Sequence, residues 1–150
     1  MAHLSLPSPI GPISIFSEDE KIVALDWDRV EADGDSPVLR DAADQLRRYF
    51  DDSLEAFDLP LRPAGSDHEL SVWRVMSEIP FGELRSYGDL ASQVGSVARA
   101  VGGACGRNPI PIIIPCHRVV GANGSMTGFS GGKGVETKEW LLRHEGALLL

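Results

Sequence analysis

The chain has 150 residues, with 14 Lys and Arg against 22 Asp and Glu, and a formal net charge of −8 at pH 7. A chain of this length can bury a core as one domain or as two small ones. Two cysteines and no long apolar run exclude a disulfide-rich secreted scaffold and an integral membrane protein. The first residues also lack the basic and apolar regions of a signal peptide, so we expect a reducing cytoplasm in which thiols stay free.

The amino-terminal part is predicted to contain strands and a helix. Residues 12–16 and 21–27 favour two strands joined by an acidic turn. A helix is expected over residues 37–51, because Ser36 can cap it, Pro37 suits its first turn and apolar residues recur at helical spacing. These elements indicate a small α/β domain.

A linker is predicted at residues 59–66, which contain two prolines and a glycine. We therefore expect an amino-terminal domain over residues 1–64 and a second domain over residues 65–150. Residues 1–66 contain 14 acidic and 6 basic residues, whereas residues 67–150 contain 8 of each. Residues 90–135 contain four cations and no Asp or Glu. This segment is a candidate nucleic-acid surface, although such a density of cations is also ordinary for a protein surface.

The second part begins with helical patterns. One helix is expected from residue 66 or 67 to about residue 79, followed by short helices over residues 86–95 and 97–105. Two short helices separated by a tight Gly-Ser turn are typical of a helix-turn-helix, whose second helix commonly docks on DNA. Close packing of these helices inside the protein is the alternative.

The most informative segment holds a thiol beside an imidazole. The three isoleucines at 112–114 predict a buried strand that Pro115 ends, which places Cys116 at a strand end. A thiol has a reference pKa of about 8.5, so it needs a base or a cation such as His117 or Arg118 to become reactive. A free Cys often packs as a small hydrophobe. Charged neighbours are out of place in a plain core strand, however, and favour a nucleophile here.

The segment after the thiol is predicted to form a hairpin, a loop and a helix. Asn-Gly within residues 119–127 is a strong hairpin signal, and a final helix is expected over residues 135–144. The intervening glycine-rich residues 128–134 lack a Gly-Lys-Ser/Thr sequence, so we interpret them as a mobile loop or a substrate wall. The spacing of Cys105 and Cys116 does not fit a zinc pattern, and we expect no metal.

Several segments in the last eighty residues resemble the O6-alkylguanine-DNA alkyltransferases, in the order of that family. The segments are Pro-Cys-His-Arg-Val at 115–119, residues 79–83, Ser86-Tyr87, residues 98–104, Asn108-Pro109, residues 130–132, residues 139–142 and residues 144–146. Residues 1–66 match more loosely. The resemblance implies an α/β (α+β) fold, in which a small ribonuclease-H-like domain precedes a mainly helical, winged-helix-like DNA-binding domain that carries the cysteine.

The resemblance also implies a reaction. It is DNA repair by direct reversal, in which the O6-alkyl group of guanine, and also the O4-alkyl group of thymine, passes irreversibly and stoichiometrically from duplex DNA to Cys116 after base flipping. No cofactor is implied. The expected partner is double-stranded DNA containing O6-alkylguanine, bound by a monomer in the cytoplasm, associated with the nucleoid if the protein is bacterial.

The residues that match the family motifs take three roles. The proton relay comprises Cys116, His117 and Glu145, with Asn108 supporting the turn around them. The DNA contacts are Arg99, Tyr87, Ala98, Arg107 and Arg118. Arg99 fills the gap that the flipped base leaves in the base stack, and Tyr87 aids rotation of the base. The pocket comprises Tyr87, Pro111, Val119, Phe129, Ser130 and Cys105.

Each of these roles has a structural alternative. Glu145 could be a solvated carboxylate, although its position at a helix C-terminus means that it needs a partner. Arg99 could be a phosphate contact, Tyr87 a core residue and Cys105 a helix-packing residue. We expect no second thiol beside Cys116.

Two other functions remain open from the sequence. A damage-recognition module would bind the alkylated base without reacting, but such relatives have a different residue at the position of Cys116. A cysteine hydrolase or acyltransferase built on Cys116 and His117 would need an oxyanion hole and would turn over.

Overall fold

The structure, a computed structural model, describes residues 1–126, 129 and 131–148, which form two compact units, Met1–Ala64 and Gly65–Leu150. The first unit contains a three-stranded antiparallel sheet in the order β1-β2-β3 and one helix. Its elements are β1 (Ala2–Leu6), β2 (Ile13–Glu18), β3 (Lys21–Asp26) and α1 (Pro37–Phe50). The two predicted strands and the predicted helix are confirmed. Strand β1 was not predicted, because only Leu6 of its five residues is buried and its pattern is weak.

The helix of the first unit packs on the sheet through an apolar face. The buried side chains include Ile13, Ile15, Ile22 and Leu25 from the strands and Leu39, Leu46 and Tyr49 from α1. Ser36 caps α1 by accepting from the Leu39 N–H, as predicted. The Ser36 hydroxyl also donates to Glu20, at 2.8 Å, which ties the β2–β3 turn to the helix N-terminus.

Over its described residues, the second unit contains four α-helices and a short parallel strand pair. The helices are α2 (Asp67–Met76), α3 (Tyr87–Val94), α4 (Ala98–Gly106) and α5 (Val135–His144), and β4 (Arg85–Ser86) pairs with β5 (Val119–Val120). All four helices were predicted, although α2 ends about three residues early. Capping boxes start α2 at Ser66 and α3 at Ser86, and Gly95 ends α3 in the left-handed region at φ 66°.

Helices α2, α3 and α4 pack together around a common core. Val72 and Met76 of α2, Leu90 of α3, and Val101 and Ala104 of α4 are buried. The Trp73 indole N–H donates to the Ala104 carbonyl at 2.9 Å and links α2 to α4. The recognition helix expected from the sequence is therefore fixed at its back by α2, while Ala98 and Arg99 near its start are exposed.

The predicted strand at residues 112–114 is wrong. These residues form a tight turn in which the Ile114 N–H donates to the Ile110 carbonyl at 2.9 Å. Ile112 has φ 73°, a strained conformation for a β-branched residue. The side chains are still buried, so apolar burial was inferred correctly but the backbone conformation was not.

The predicted hairpin at residues 119–127 is also wrong over the residues that the structure describes. Val119 and Val120 pair in parallel with Arg85 and Ser86 instead of with Ser125 and Met126. Ala122–Gly124 forms one helical turn, with Asn123 at φ 62°. The Asn-Gly pair thus makes a turn but no hairpin. Within the described part of the chain, no helix is long and apolar enough to cross a membrane.

Candidate active site

The turn at residues 110–114 is held by Asn108. Its side-chain amide donates to the Ile114 carbonyl at 2.8 Å and accepts from the Ile110 N–H at 3.0 Å. Both isoleucines are buried, so these bonds satisfy backbone groups that water cannot reach. Asn108 therefore closes the turn that leads, through Pro115, to the thiol.

Cys116 opens a single 3-10 helical turn, Cys116–Arg118. Its side chain is buried, and its backbone N–H donates to the Ile114 carbonyl at 2.8 Å. Burial raises the pKa of the Cys116 thiol, while a hydrogen bond from Asn108 and the positive charge of Lys138 act in the opposite direction. Forming the thiolate here therefore requires a group that accepts its proton.

His117 and Glu145 form a buried pair. The Nε2 atom of His117 lies 2.7 Å from Oε2 of Glu145, and both side chains are fully buried. Among the residues described, the buried Nδ1 atom of His117 has no hydrogen-bond partner. Burial lowers the pKa of His117, although the Glu145 carboxylate counteracts it. A neutral imidazole with one unused nitrogen can accept a proton.

Glu145 lies just after α5 and receives the partner that its position requires. Arg118 donates to both carboxylate oxygens, at 2.8 and 3.0 Å. Burial opposes ionisation of Glu145, but the hydrogen bonds and charges of His117 and Arg118 outweigh it and hold its pKa well below the ordinary value. The carboxylate is therefore an anion that orients the imidazole.

The prediction that Arg118 contacts DNA is wrong. Its side chain is buried and its third nitrogen, Nη1, donates to the Ile79 carbonyl at 2.7 Å. A guanidinium with all three nitrogens bonded inside the protein cannot reach a phosphate.

Lys138 is a site residue that the sequence analysis missed. It is fully buried on α5, and its ammonium donates to the Val119 carbonyl at 2.6 Å. It also lies 5.8 Å from the ring centre of Tyr87. Its charge favours the Cys116 thiolate. The signal was available, because a lysine three residues before Leu141 and seven before Glu145 faces the same side of the helix.

A cavity of about 500 Å³ opens between α3, α4 and the start of the 121–124 turn. Tyr87, Ala98 and Arg99 line it, together with Ser86, Gly88, Gly102, Gly121 and Ala122. The structure thus brings together three of the predicted DNA-contacting residues. The aromatic side of Tyr87 is buried and its neighbours on α4 are small, which suits a flat ligand.

The other predicted residues lie in several environments. Arg107 is exposed, but its guanidinium ion-pairs with Glu69 of α2. Pro111 and Val119 are buried, and Phe129 is half-buried. Ser130 lies outside the described residues.

Cys105 is buried in α4, with its Sγ atom 3.6 Å from the sulfur of Met76. Burial, with a contribution from Cys116, raises the pKa of Cys105 to about 12. Cys116 therefore lies near enough to affect the pKa of Cys105, whereas we expected no second thiol beside Cys116, and the raised pKa keeps the Cys105 thiol protonated at neutral pH. No group of three or more His, Cys, Asp or Glu side chains within the described ranges could hold a metal ion.

The second unit combines a buried thiol, an imidazole and a carboxylate with a helix-turn-helix. This combination is typical of a DNA-binding protein that reacts through a cysteine. The comparisons with known proteins agree. Residues 67–147 match the 6-O-methylguanine DNA methyltransferase, DNA binding domain, and residues 1–63 match the ribonuclease-like domain of the same family. The chain belongs to the 6-O-methylguanine DNA methyltransferase family.

Similar proteins cover nearly the whole chain. A methylated-DNA–protein-cysteine methyltransferase of Methanosarcina acetivorans is 40% identical, over 98% of this chain and 99% of its own length. The Shigella flexneri protein of the same name is 38% identical, over 97% and 95%. The crystal structure of the Mycobacterium tuberculosis O6-methylguanine methyltransferase has a TM-score of 0.87 at 39% identity, covering 98% and 94%. A structure of M. tuberculosis OGT in complex with DNA has a TM-score of 0.85 at 40% identity, covering 97% and 92%.

Proposed function

We propose that the protein repairs alkylated DNA by moving the alkyl group from O6 of guanine, or O4 of thymine, to Cys116. The observation that carries this proposal is the buried set of Cys116, His117 and Glu145 in a unit whose sequence matches the family's DNA-binding domain. The relatives that cover this chain carry the name of that activity.

The reaction is an in-line substitution at the alkyl carbon. His117 takes the thiol proton, directly or through one water, and Glu145 stabilises the imidazolium. The sulfur then forms a bond to the alkyl carbon as the carbon–O6 bond breaks. The electron pair of the breaking bond passes to the purine. The purine takes up one proton and becomes guanine. The balance is one thiol proton exchanged for one alkyl group, so no cofactor is needed.

Lys138 and Asn108 support the anionic sulfur. The ammonium of Lys138 attracts the thiolate, and the amide of Asn108 donates a hydrogen bond to it. Both groups are fixed by other bonds, Lys138 to the Val119 carbonyl and Asn108 to the turn. Donors that are already in position stabilise developing charge without reorganising.

The DNA would be bound by the surface around the cavity. The target carbon is inaccessible inside a duplex, so the base must rotate out at a cost of a few kcal/mol. We assign Tyr87 and the small residues of α4 to the extruded nucleotide, and the exposed Arg99 to the vacated stack. Ala98 lies beside Arg99 at the cavity edge and suits close approach to the DNA backbone. Pro111, Val119, Phe129 and Ser130 are assigned to the base pocket on resemblance.

The two units would then serve as an amino-terminal α/β domain, residues 1–64, and a carboxy-terminal alkyltransferase domain, residues 65–150. We infer a monomer that acts on double-stranded DNA in the cytoplasm. The reaction consumes the protein, because a thioether cannot be reduced as a disulfide can.

The test is the intact mass of the protein after mixing with excess duplex DNA containing one O6-methylguanine, with Cys116→Ser as control. A gain of roughly 14 Da, one methyl group, is expected in the wild type only, localised to Cys116. Tight binding without a mass gain would instead indicate a damage-recognition module. Released product in excess of protein would indicate a turning-over thiol enzyme.

A further inference from the structure

Arg118 is the buried site residue that the alkyl transfer itself does not use. Its Nε and Nη2 atoms donate to the two oxygens of Glu145, and Nη1 donates to the Ile79 carbonyl. Its guanidinium carbon also lies 5.9 Å from the ring centre of Phe81. With every nitrogen bonded and one face against a ring, the guanidinium has a fixed plane.

The hydrogen-bond geometry at Glu145 determines where its protons can be. Oε1 accepts from Arg118, and Oε2 accepts from Arg118 and lies 2.7 Å from Nε2 of His117. Arginine does not lose a proton in proteins. Protonating either oxygen would weaken a charge-assisted hydrogen bond from Arg118. The carboxylate is ionised, and because it can only accept, Nε2 of His117 must carry a hydrogen.

We propose that Arg118 is a positioning residue that fixes the proton of His117 on Nε2, and so leaves Nδ1 as the atom that receives the Cys116 proton. This inference rests on the proposed function. The Nδ1 atom is buried and, in the described part of the chain, lacks a hydrogen-bond partner, as a proton acceptor at rest requires.

Loss of the guanidinium fork would reverse this arrangement. Glu145 lies at the C-terminal end of α5, where the helix dipole and burial both disfavour an anion. Without the fork, even with a Lys that donates to one oxygen only, the other oxygen would hold a proton and donate it to Nε2, which places the ring proton on Nδ1. That tautomer cannot accept a proton from the thiol. The charged groups that act on His117 are Glu145, Arg118 and Lys138, and Arg118 bonds to both oxygens of Glu145.

The first test is nitrogen-15 NMR of His117 in the wild-type protein and in Arg118→Lys, which keeps the charge but loses the fork. In the wild type we expect Nε2 to be protonated across the pH range in which the protein is folded. An unprotonated Nε2 would overturn the inference without any variant. In Arg118→Lys we expect signal from the ring with hydrogen on Nδ1, and unchanged signals would also overturn it.

The second test is the single-turnover rate of alkyl transfer as a function of pH. Arg118→Lys should be roughly 10- to 100-fold slower near neutral pH, because general-base help is lost. The deficit should shrink at alkaline pH, where hydroxide forms the thiolate without His117. A purely structural role would lower the rate by the same factor at every pH, and that result would refute the inference. Arg143→Met is the matched control, since Arg143 is exposed and pairs with Glu139 of the same helix.

Failure of this inference can be distinguished from failure of the proposed function. If the wild-type protein gains no methyl group, the proposed function itself is refuted. If the wild type gains the methyl group and Arg118→Lys has the same rate profile and the same ring signals, only the role of Arg118 is refuted. Circular dichroism of both variants separates a folding defect from either result.

Discussion

Replacing Asn108 with Ala should destabilise the turn before the thiol more than it disturbs the rest of the protein. The change leaves the Ile114 carbonyl and the Ile110 N–H buried and unpaired. Each such group costs about 1 to 3 kcal/mol, so we expect a loss of about 2 to 6 kcal/mol in the free energy of unfolding if the turn stays closed.

The turn has a way to reduce this cost. Ile112, at φ 73°, stores backbone strain of about 1 to 3 kcal/mol that is recovered if the turn opens. Opening moves Cys116, which follows the turn by two residues, and the alkyl-transfer rate should then fall sharply. Asn108→Ala also removes the hydrogen bond to the anionic sulfur, so the rate should fall in either case. If the turn opens, the rate should fall further while less stability is lost.

Urea unfolding and single-turnover transfer measure the two quantities on the same preparation. Asn108→Asp is the intermediate variant, because it keeps the acceptor for Ile110 but loses the donor to Ile114, and about 1 to 3 kcal/mol should be lost. Gln93→Ala, which removes an exposed amide from α3, is the control. A stability change under about 1 kcal/mol with an unchanged rate in Asn108→Ala would refute the reasoning.

Three other predictions follow from the site. Arg99→Ala should slow repair of duplex DNA by roughly tenfold or more while sparing reaction with free O6-methylguanine. The reason is that only in the duplex does a flipped base leave a gap in the stack for Arg99 to fill. Equal losses on both substrates would contradict this role. Lys138→Met should slow alkyl transfer at neutral pH with little change in the urea midpoint. The stability should change little because removing a buried charge offsets the loss of the hydrogen bond to the Val119 carbonyl. A stability loss above about 3 kcal/mol with a normal rate would contradict this prediction. Burial lowers the pKa of His117, so the unfolded chain binds its proton first and stability should fall, by up to about 1.4 kcal/mol per pH unit, as pH drops below 6.5. The lowered pKa of Glu145 adds to this loss of stability below pH 4.5. In urea titrations at several pH values, His117→Asn should abolish only the part of the loss that begins at pH 6.5.

Local signals in the sequence predicted the helices of both units well. Ser66 and Ser86 precede acidic residues by three positions, and both form capping boxes. Gly95 ends α3 because the left-handed conformation suits a residue without a side chain. These features depend on neighbours within one or two helical turns, and a single sequence contains that information.

The turn at residues 110–114 could not be predicted in the same way. Three β-branched residues in a row favour a strand, but Asn108, two residues before the turn, bonds both of its ends and overrides that preference. The prolines at 109, 111 and 115 argued against a strand, because they remove the backbone donors that a paired strand would use.

The error at Arg118 arose for a related reason. A basic residue in a segment without acidic residues suggested a DNA surface, but its partner Glu145 lies 27 residues further along the chain. Sequence spacing does not reveal an ion pair formed across the fold. The helical periodicity that places Lys138 on the inner face of α5 was, by contrast, readable from the sequence.

In the proposed reaction, the fixed charges around the thiol favour one direction of proton transfer. Transfer from Cys116 to His117 turns two neutral groups into an ion pair and leaves the net charge of the buried site unchanged. Lys138 stabilises the anionic sulfur and Glu145 stabilises the cationic ring. Glu145 stays ionised, because Arg118 donates to both of its oxygens. The proton therefore stays on His117, from which it can pass to the purine.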